Sequence, residues 1–284
     1  MNLAVGFFDG VHLGHRRILS LADEALTFLN HPASVCAPER APRLLMTAQD
    51  RIEAVRAALR IPGGRVEALT FTSATASTAP EAFATWLQRS FPGLDTVVCG
   101  ENWTFGEGGK GDAGFLRHLG FKVETVPFVL YEGSPISSTR IRQELAEARP
   151  ESAAAMLGRR YAVSGHAVRG KGVGHLMGRP TLNIVPDLDD VPLARGVYAV
   201  VANGRPGVAN WGTAPTFGDQ AWPEPLLEVH LLDGSAAPTS GEGAALRVEF
   251  ASFLRPERKF SSRAELARQI SADAAAAADA LAGA

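Results

Sequence analysis

Along the first half of the chain, short apolar runs alternate with stretches whose apolar positions recur at helical spacing. Residues 3–7 read as a buried strand, and a helix begins near Gly14. Residues 25–29 form the next strand, and residues 47–59 carry Ala, Ile, Val and Leu at helical spacing behind Thr47 as the N-cap. Strands follow at 65–71, 96–99 and 121–126, with helices at 79–91 and 111–119. Strands alternating with helices predict a parallel sheet covered on both faces. From Tyr161 the rhythm changes. Residues 161–164, 180–184, 196–201, 207–211, 226–232 and 246–250 are short and strand-like, separated by Gly and Pro clusters, which is the spacing of an antiparallel sandwich or barrel. Residues 262–282 read as one Ala-rich helix capped by Ser261 or Ser262. The expected fold is an α/β parallel-sheet domain at 1–150, then a mainly antiparallel β-barrel domain with a C-terminal helix at 151–284. The boundary is expected between residues 141–148 and 157–161.

Composition is consistent with two packed cores. At ~150 residues per domain, 284 residues predict two domains. With 46% hydrophobic and 20% charged residues, the chain is not disordered, collagen-like or a coiled coil. A formal net charge of −2 argues against a nucleic-acid coat or a polybasic membrane binder, and no obligate protein partner is evident. Two cysteines, Cys36 and Cys99, cannot build a disulfide framework and are expected to be reduced and partly buried. No apolar run reaches the ~18 residues of a spanning helix. The first basic residue is Arg16, so a charged leader is not expected, and the protein is expected to be soluble and cytoplasmic. No internal repeat is present, and residues 233–243 are the most loop-like stretch.

Two constellations carry candidate chemistry. The first is Gly6-Phe7-Phe8-Asp9-Gly10 followed by Val11-His12-Leu13-Gly14-His15 at a strand-to-helix turn. Glycines let backbone turn sharply against a ligand, and the new helix offers unpaired N–H groups that suit phosphate. His12 and His15 are three apart and can face one side of the first turn, placed to donate to the oxygens of a nucleotide attacked at phosphorus. Ser137, Ser138, Thr139 and Arg140 supply hydroxyls and a guanidinium at a helix entrance. Asn102 lies in a glycine-bracketed loop, residues 100–106, just after a strand, where ligands of open α/β sheets gather. A capping segment and a turn-stabilising Asn remain the alternatives for these last two features.

The second constellation begins with the glycine-rich loop at residues 168–174, containing Gly170 and Lys171. Thr181 and Asn183 follow on one face of a strand. A hydroxyl and an amide carbonyl side by side are hard oxygen donors suited to Mg²⁺. Glu228 and His230 share one face of a later strand, where Glu228 is either a solvated carboxylate or a general base.

These motifs resemble a known family. The Gly6–His15 segment, the Asn102 loop and the Ser137-Ser138-Thr139-Arg140 stretch look like the adenylyltransferase half of the prokaryotic bifunctional riboflavin kinase/FAD synthetases. The second half resembles the riboflavin kinase domain of the same family, through residues 157–159, 168–174, 178–184, 196–198, 212–217, 227–233 and 253–260. The resemblance implies a nucleotidyltransferase-like first domain in which Gly6, Phe8, Asp9, His12, His15, Asn102, Ser137, Ser138, Thr139 and Arg140 surround ATP and the FMN phosphate. In the second domain it implies nucleotide contacts from Gly170 and Lys171, Mg²⁺ on Thr181 and Asn183, Glu228 as base for the riboflavin 5′-hydroxyl, and Arg255 near flavin. Riboflavin, FMN and ATP are then the expected small-molecule substrates.

Several positions depart from the family pattern. Only eleven residues separate His15 from Thr27, which predicts a cut-down first helix with weaker packing beneath the phosphate site. Residues 27–32 (Thr-Phe-Leu-Asn-His-Pro) lack an expected acidic residue, Val173 and His175 stand where basic residues are usual, and residues 234–241 replace an aromatic and a Tyr-Gly pair. Two alternative readings follow: a nucleotidyltransferase with a different phosphate acceptor, or a flavin- or nucleotide-binding protein with weakened kinase activity.

Overall fold

The computed structural model describes residues 1–168, 181–212, 226–234 and 243–283. By internal packing the chain divides into two compact units, Met1–Ser138 and Thr139–Ala284. In the first unit the elements run β1 (Asn2–Val5), α1 (Leu13–Leu19), β2 (Glu24–Phe28), α2 (Ala33–Cys36), α3 (Ala48–Ala58), β3 (Val66–Leu69), α4 (Ser73–Ala76), α5 (Pro80–Ser90) and β4 (Thr96–Gly100). The small ladder β5 (Thr104–Phe105) and β6 (Gly111–Asp112) precedes α6 (Ala113–His118) and β7 (Lys122–Val126), and the hairpin β8 (Leu130–Tyr131) and β9 (Ser134–Pro135) closes the unit.

The sheet order is β3-β2-β1-β4-β7, and every pairing is parallel. Parallel strands must be covered on both sides, so their interiors are almost wholly apolar. Leu3 and Val97 face α5 and α6 with Leu87, Phe91 and Leu116, while Ala4, Ala25 and Val98 face α1 and α3 with Leu19 and Val55. Cys99 is buried in this core, where burial pushes its thiol up to about 11, whereas Cys36 is exposed. The short crossover after β1 holds only seven helical residues, yet Ile18 and Leu19 are buried, so the packing expected to be weak is intact. Thr47 caps α3 as expected: its hydroxyl oxygen accepts from the Asp50 N–H at 3.1 Å and its O–H donates to the Asp50 carboxylate at 2.9 Å.

The second unit opens with α7 (Ser138–Ala146), whose first residue closes the first unit, and α8 (Pro150–Leu157). The segment expected to hold the boundary is therefore helix, because Ala153, Met156 and Leu157 are a buried apolar face packed on the barrel strands. The strands are β10 (Tyr161–Val168), β11 (Thr181–Pro186), β12 (Gly196–Ala202), β13 (Arg205–Gly212), β14 (Leu226–Leu231) and β15 (Ala245–Arg255), followed by α9 (Arg263–Ala282) with Ser262 as cap. They close into a barrel in the order β10-β11-β14-β13-β12-β15. Closure removes the edges that an open sheet would expose.

The β15 strand runs eleven residues, far beyond the expected 246–250, because it pairs with β10 on one side and β12 on the other. The extension past Phe250 is set by β12, with register irregularities, and not by any alternation in its own residues. Val163, Ile184, Tyr198, Trp211, Leu227, Val229, Val248 and Phe250 fill the unit's core. The β12 strand is buried almost throughout because α9 packs against it, which is why its sequence is nearly all apolar. No helix among the described residues is long and apolar enough to cross a membrane.

The Thr47 cap gives a direct check on the first unit. Thr47→Ala is expected to lower its unfolding free energy by about 1 kcal/mol, read by chemical denaturation.

Candidate functional site

The chain leaves β1 toward β2 and β3, then returns at β4 on the other side, so the strand order reverses between β1 and β4. In open α/β sheets that switch point opens a crevice at the carboxyl ends of the strands. Two of the sequence motifs of the first unit start there, Gly6 after β1 and Gly100 at the end of β4.

The turn after β1 is tightly wound. Phe8, Gly10 and Val11 have φ of 58°, 78° and 41°. A β-branched residue in that region is a strained conformation that the surroundings must enforce. Three contacts enforce it. A Cβ on Gly6 would lie 2.9 Å from the Phe8 ring, so only glycine lets that ring fold beneath the turn. The buried Asp9 carboxylate accepts the Leu45 N–H at 3.0 and 3.2 Å, and the Asp9 carbonyl accepts the Ser138 hydroxyl at 2.8 Å. Ser138 and the His12 turn are thereby brought together. Thr139 and Arg140 continue the same helix but belong to the second unit, and the Thr139 hydroxyl accepts from Arg142 at 3.2 Å. Ser137 precedes that helix and is half-buried.

His12 and His15 stack, with ring centroids 3.5 Å apart and planes 19° from parallel. His12 is buried and its Nδ1 accepts the His15 N–H at 3.3 Å, so it caps the helix that carries its partner. One of the N–H groups expected to face phosphate is thus already used. Burial first, and the His12 charge second, hold His15 well below the ordinary imidazole range, so it is neutral near pH 7. Asn102 folds its amide oxygen back toward Gly100, beside Ile18 of α1: a Cβ on Gly100 would meet Asn102 Oδ1 at 3.4 Å and Ile18 at 3.6 Å. The Asn102 loop and the histidine helix are therefore neighbours.

A residue the sequence reading passed over stands behind this turn. Arg51 of α3 is fully buried, and its Nη2 donates to the Phe28 carbonyl at 2.6 Å and the Leu29 carbonyl at 2.9 Å. Its guanidinium carbon lies 4.1 Å from the Phe7 ring centroid, and the His31 ring meets Phe7 edge-on at 4.7 Å. Burial pushes the Arg51 pKa down, while the charge of Asp9 opposes that shift. In sequence Arg51 looks like any charge on an amphipathic helix. Asn30, in the 27–32 run that lacks the expected acidic residue, binds the Phe71 backbone both ways, through Oδ1 at 2.8 Å and Nδ2 at 3.0 Å. It fastens the end of β2 to the end of β3.

In the second unit the register decides the site. Asn183 on β11 pairs with Glu228 on β14, Thr181 with His230, and Glu228 with Asn210 on β13. Leu227, Val229 and Leu231 are buried on the opposite side of β14, so these polar residues lie on the outer face of the barrel. Glu228 accepts a hydrogen bond from the Thr181 side chain, yet burial dominates and raises its carboxyl above the ordinary range. Asn210, not singled out from sequence, donates to the Glu257 carboxylate at 3.2 Å, and that carboxylate sits where a Gly212 side chain would be.

Arg255 is engaged with the C-terminal helix. Its Nε and Nη2 meet the Asp273 carboxylate at 2.9 and 2.7 Å, and its Nη1 donates to the Pro256 carbonyl at 3.0 Å. Gln269 donates to the same carboxylate at 2.7 Å. Gly170, Lys171, Val173 and His175 lie outside the described residues, as do residues 235–242. Among the described residues no group of three or more His, Cys, Asp or Glu is placed to hold a metal. The hydroxyl and amide oxygens of Thr181 and Asn183, beside Glu228, are the hard donors that fit Mg²⁺ shared with phosphate oxygens.

Comparison with known proteins matches both halves. A family model for FAD synthetase matches residues 1–140, and one for riboflavin kinase matches residues 157–281. The bifunctional riboflavin kinase/FMN adenylyltransferase of Pseudomonas fluorescens is 34% identical, over 96% of this chain and 90% of its own. Those of Bacillus subtilis and Escherichia coli K12 are 31% and 33% identical, over 95% of this chain and 89% and 90% of theirs. A crystal structure described as a macrolide-efflux protein from Streptococcus pneumoniae has the same fold, with TM-score 0.81 and 27% identity over 96% of this chain and 91% of that one.

The turn after β1 carries its own test. Gly6→Ala forces a methyl against the Phe8 ring and is expected to cost the first unit about 1–3 kcal/mol, measured by denaturation.

Proposed function

The chain belongs to the bifunctional riboflavin kinase/FMN adenylyltransferase family, and from that premise we propose which residues carry each of its two reactions. It phosphorylates riboflavin to FMN with ATP and adenylylates FMN to FAD with release of pyrophosphate. We assign the adenylyltransferase half to residues 1–150 and the kinase half to residues 151–284.

In the kinase half, Glu228 takes the proton of the riboflavin 5′-hydroxyl as that oxygen bonds the γ-phosphorus of ATP and the bond to the ADP oxygen breaks. The observation that carries this assignment is Glu228 set opposite Asn183 and hydrogen-bonded to Thr181, with burial raising its pKa. A carboxylate with a raised pKa is a stronger base than a solvated one. Thr181 and Asn183 would hold Mg²⁺, which would neutralise charge on the phosphate oxygens when bound. Gly170 and Lys171 are assigned to the nucleotide phosphates. Arg255, which hydrogen-bonds Asp273 and the Pro256 carbonyl, is assigned to the flavin end of the site, where it also fixes α9 to the end of β15.

In the adenylyltransferase half, a phosphate oxygen of FMN attacks the α-phosphorus of ATP and pyrophosphate leaves. His12 and His15 hydrogen-bond the oxygens on which charge develops. Because His15 is held neutral, it acts by hydrogen bonding and not as a cation. Gly6, Phe8 and Asp9 contribute the shape and backbone of the turn, while Asn102, Ser137, Ser138, Thr139 and Arg140 complete the nucleotide site. Positioning and electrostatics, with no covalent intermediate, supply the rate.

Purified protein given riboflavin, ATP and Mg²⁺ is expected to yield FMN and then FAD by chromatography. Flavin bound without turnover would support a binding protein instead, and adenylylation of another phosphate acceptor would redirect the assignment. His12→Ala is expected to lower FAD formation by roughly 100-fold or more while FMN formation continues. Glu228→Gln is expected to do the reverse when FMN is supplied, lowering riboflavin phosphorylation by roughly 100-fold or more.

The raised pKa of Glu228 also has a sign. The folded state holds its proton more tightly than the unfolded chain, so the stability linked to Glu228 is present at low pH and lost as pH rises through the folded value. Glu228→Gln is therefore expected to melt higher than the parent at neutral pH. Kinase activity of the parent, which needs the carboxylate, is expected to fall on the acid side with a midpoint above the ordinary ~4.3 of glutamate.

A further inference from the structure

Arg51 is a costly way to fill its place. Its side chain is fully buried, and its Nε and Nη1 have no hydrogen-bond partner in the structure. A methionine would fill similar space without leaving donors unmet, so packing alone does not call for a guanidinium here. What the guanidinium adds is a tie across two strand ends. One nitrogen fastens the Phe28 and Leu29 carbonyls at the end of β2, while the flat cation lies on Phe7, immediately before the strained turn. The neighbouring strand end is fastened in parallel, since the Thr27 hydroxyl donates to the Phe7 carbonyl at 3.0 Å and the Gly6 N–H to the Leu26 carbonyl at 3.2 Å.

The other half of the clamp comes from the lead-in to the same helix. Leu45 donates its N–H to Asp9, two residues before the Thr47 cap of α3, which carries Arg51 one turn further on. Arg51 on α3 and the Leu45 N–H in the segment leading into that helix thus hold the turn at two points, Phe7 through a cation and Asp9 through its carboxylate. Between and just beyond those grips lie the left-handed Phe8, Gly10 and Val11, and then the stacked imidazoles. Strained backbone holds one shape only when its surroundings over-determine it.

We propose that Arg51 is a positioning residue for adenylyl transfer: held on α3, it fixes Phe7 and the end of β2 so that the turn delivers His12 and His15 at the reacting phosphate. This rests on the adenylyl-transfer reading of the first unit. Arg51 touches no reacting atom; it sets where the groups that do are placed. A misplacement of about 1 Å in such groups costs roughly 100-fold in rate.

The test is the full-length protein carrying Arg51→Met or Arg51→Lys, assayed separately for FMN adenylylation and for riboflavin phosphorylation. For Arg51→Met, kcat for FAD formation is expected to fall roughly 100-fold, with KM for ATP and FMN within about threefold and FMN formation unchanged. Arg51→Lys keeps a cation that can donate to both carbonyls but cannot lie flat on Phe7, and is expected to recover about tenfold of that loss. Melting and circular dichroism establish that each variant is folded. If Arg51→Met does not fold, Arg51→Lys carries the test alone, with about a tenfold deficit in kcat expected. A folded variant of either kind with kcat within threefold of the parent overturns the proposal, as does a loss that merely tracks the unfolded fraction. Failure of the parent itself to make FAD would instead overturn the reading on which the proposal rests.

Discussion

The first unit depends on a turn that backbone preferences oppose. Between β1 and α1 the chain passes through three left-handed residues, one of them Val11, and it stays there because partners on both sides leave it no alternative. The Phe8 ring folds under Gly6, the Asp9 carboxylate takes the Leu45 N–H, the Asp9 carbonyl takes Ser138, and Phe7 lies against Arg51. The reward for that strain is a fixed exit from β1 at the point where the sheet order reverses, which is where a nucleotide can lie across the strand ends. The stacked histidines inherit their geometry from it.

The barrel solves a different problem. Its interior is filled by aliphatic and aromatic side chains, so the polar side chains of its strands lie on the outer face. Antiparallel register brings residues distant in sequence side by side there: Asn183, Glu228 and Asn210 come from three adjacent strands. The same outer placement lets Glu228 stay ionisable while partial burial makes it more basic than a solvated carboxylate. Arg255 and Asp273 join the end of β15 to α9, a two-pronged charge-assisted pairing that strengthens because both groups are largely withdrawn from water.

Departures from the family pattern have local answers where the structure describes them. The seven-residue α1 is short, but it spends Ile18 and Leu19 on the core and keeps its first turn for the histidines. In the 27–32 run, which lacks the expected acidic residue, the Asn30 amide both donates to and accepts from the Phe71 backbone and so fastens β2 to β3 without a carboxylate.

Periodicity and local residue types were enough to determine the alternating strands and helices of the first unit, the Thr47 cap, a C-terminal helix capped by Ser261 or Ser262, the change to antiparallel strands after Tyr161, and the motif residues themselves. These are local properties, written in spacing of 2.0 or 3.6 and in the residue types that caps and turns require. Nothing local marks the length of β15, the helix α8, or the difference between Arg51 and an ordinary surface arginine on the same helix. Nor does local pattern reveal that Arg255 is paired with Asp273, or that Asn210 belongs beside Glu228. Those facts were decided only by tertiary structure, because each depends on which distant backbone or charge arrives opposite a side chain, and on whether water is excluded when it does.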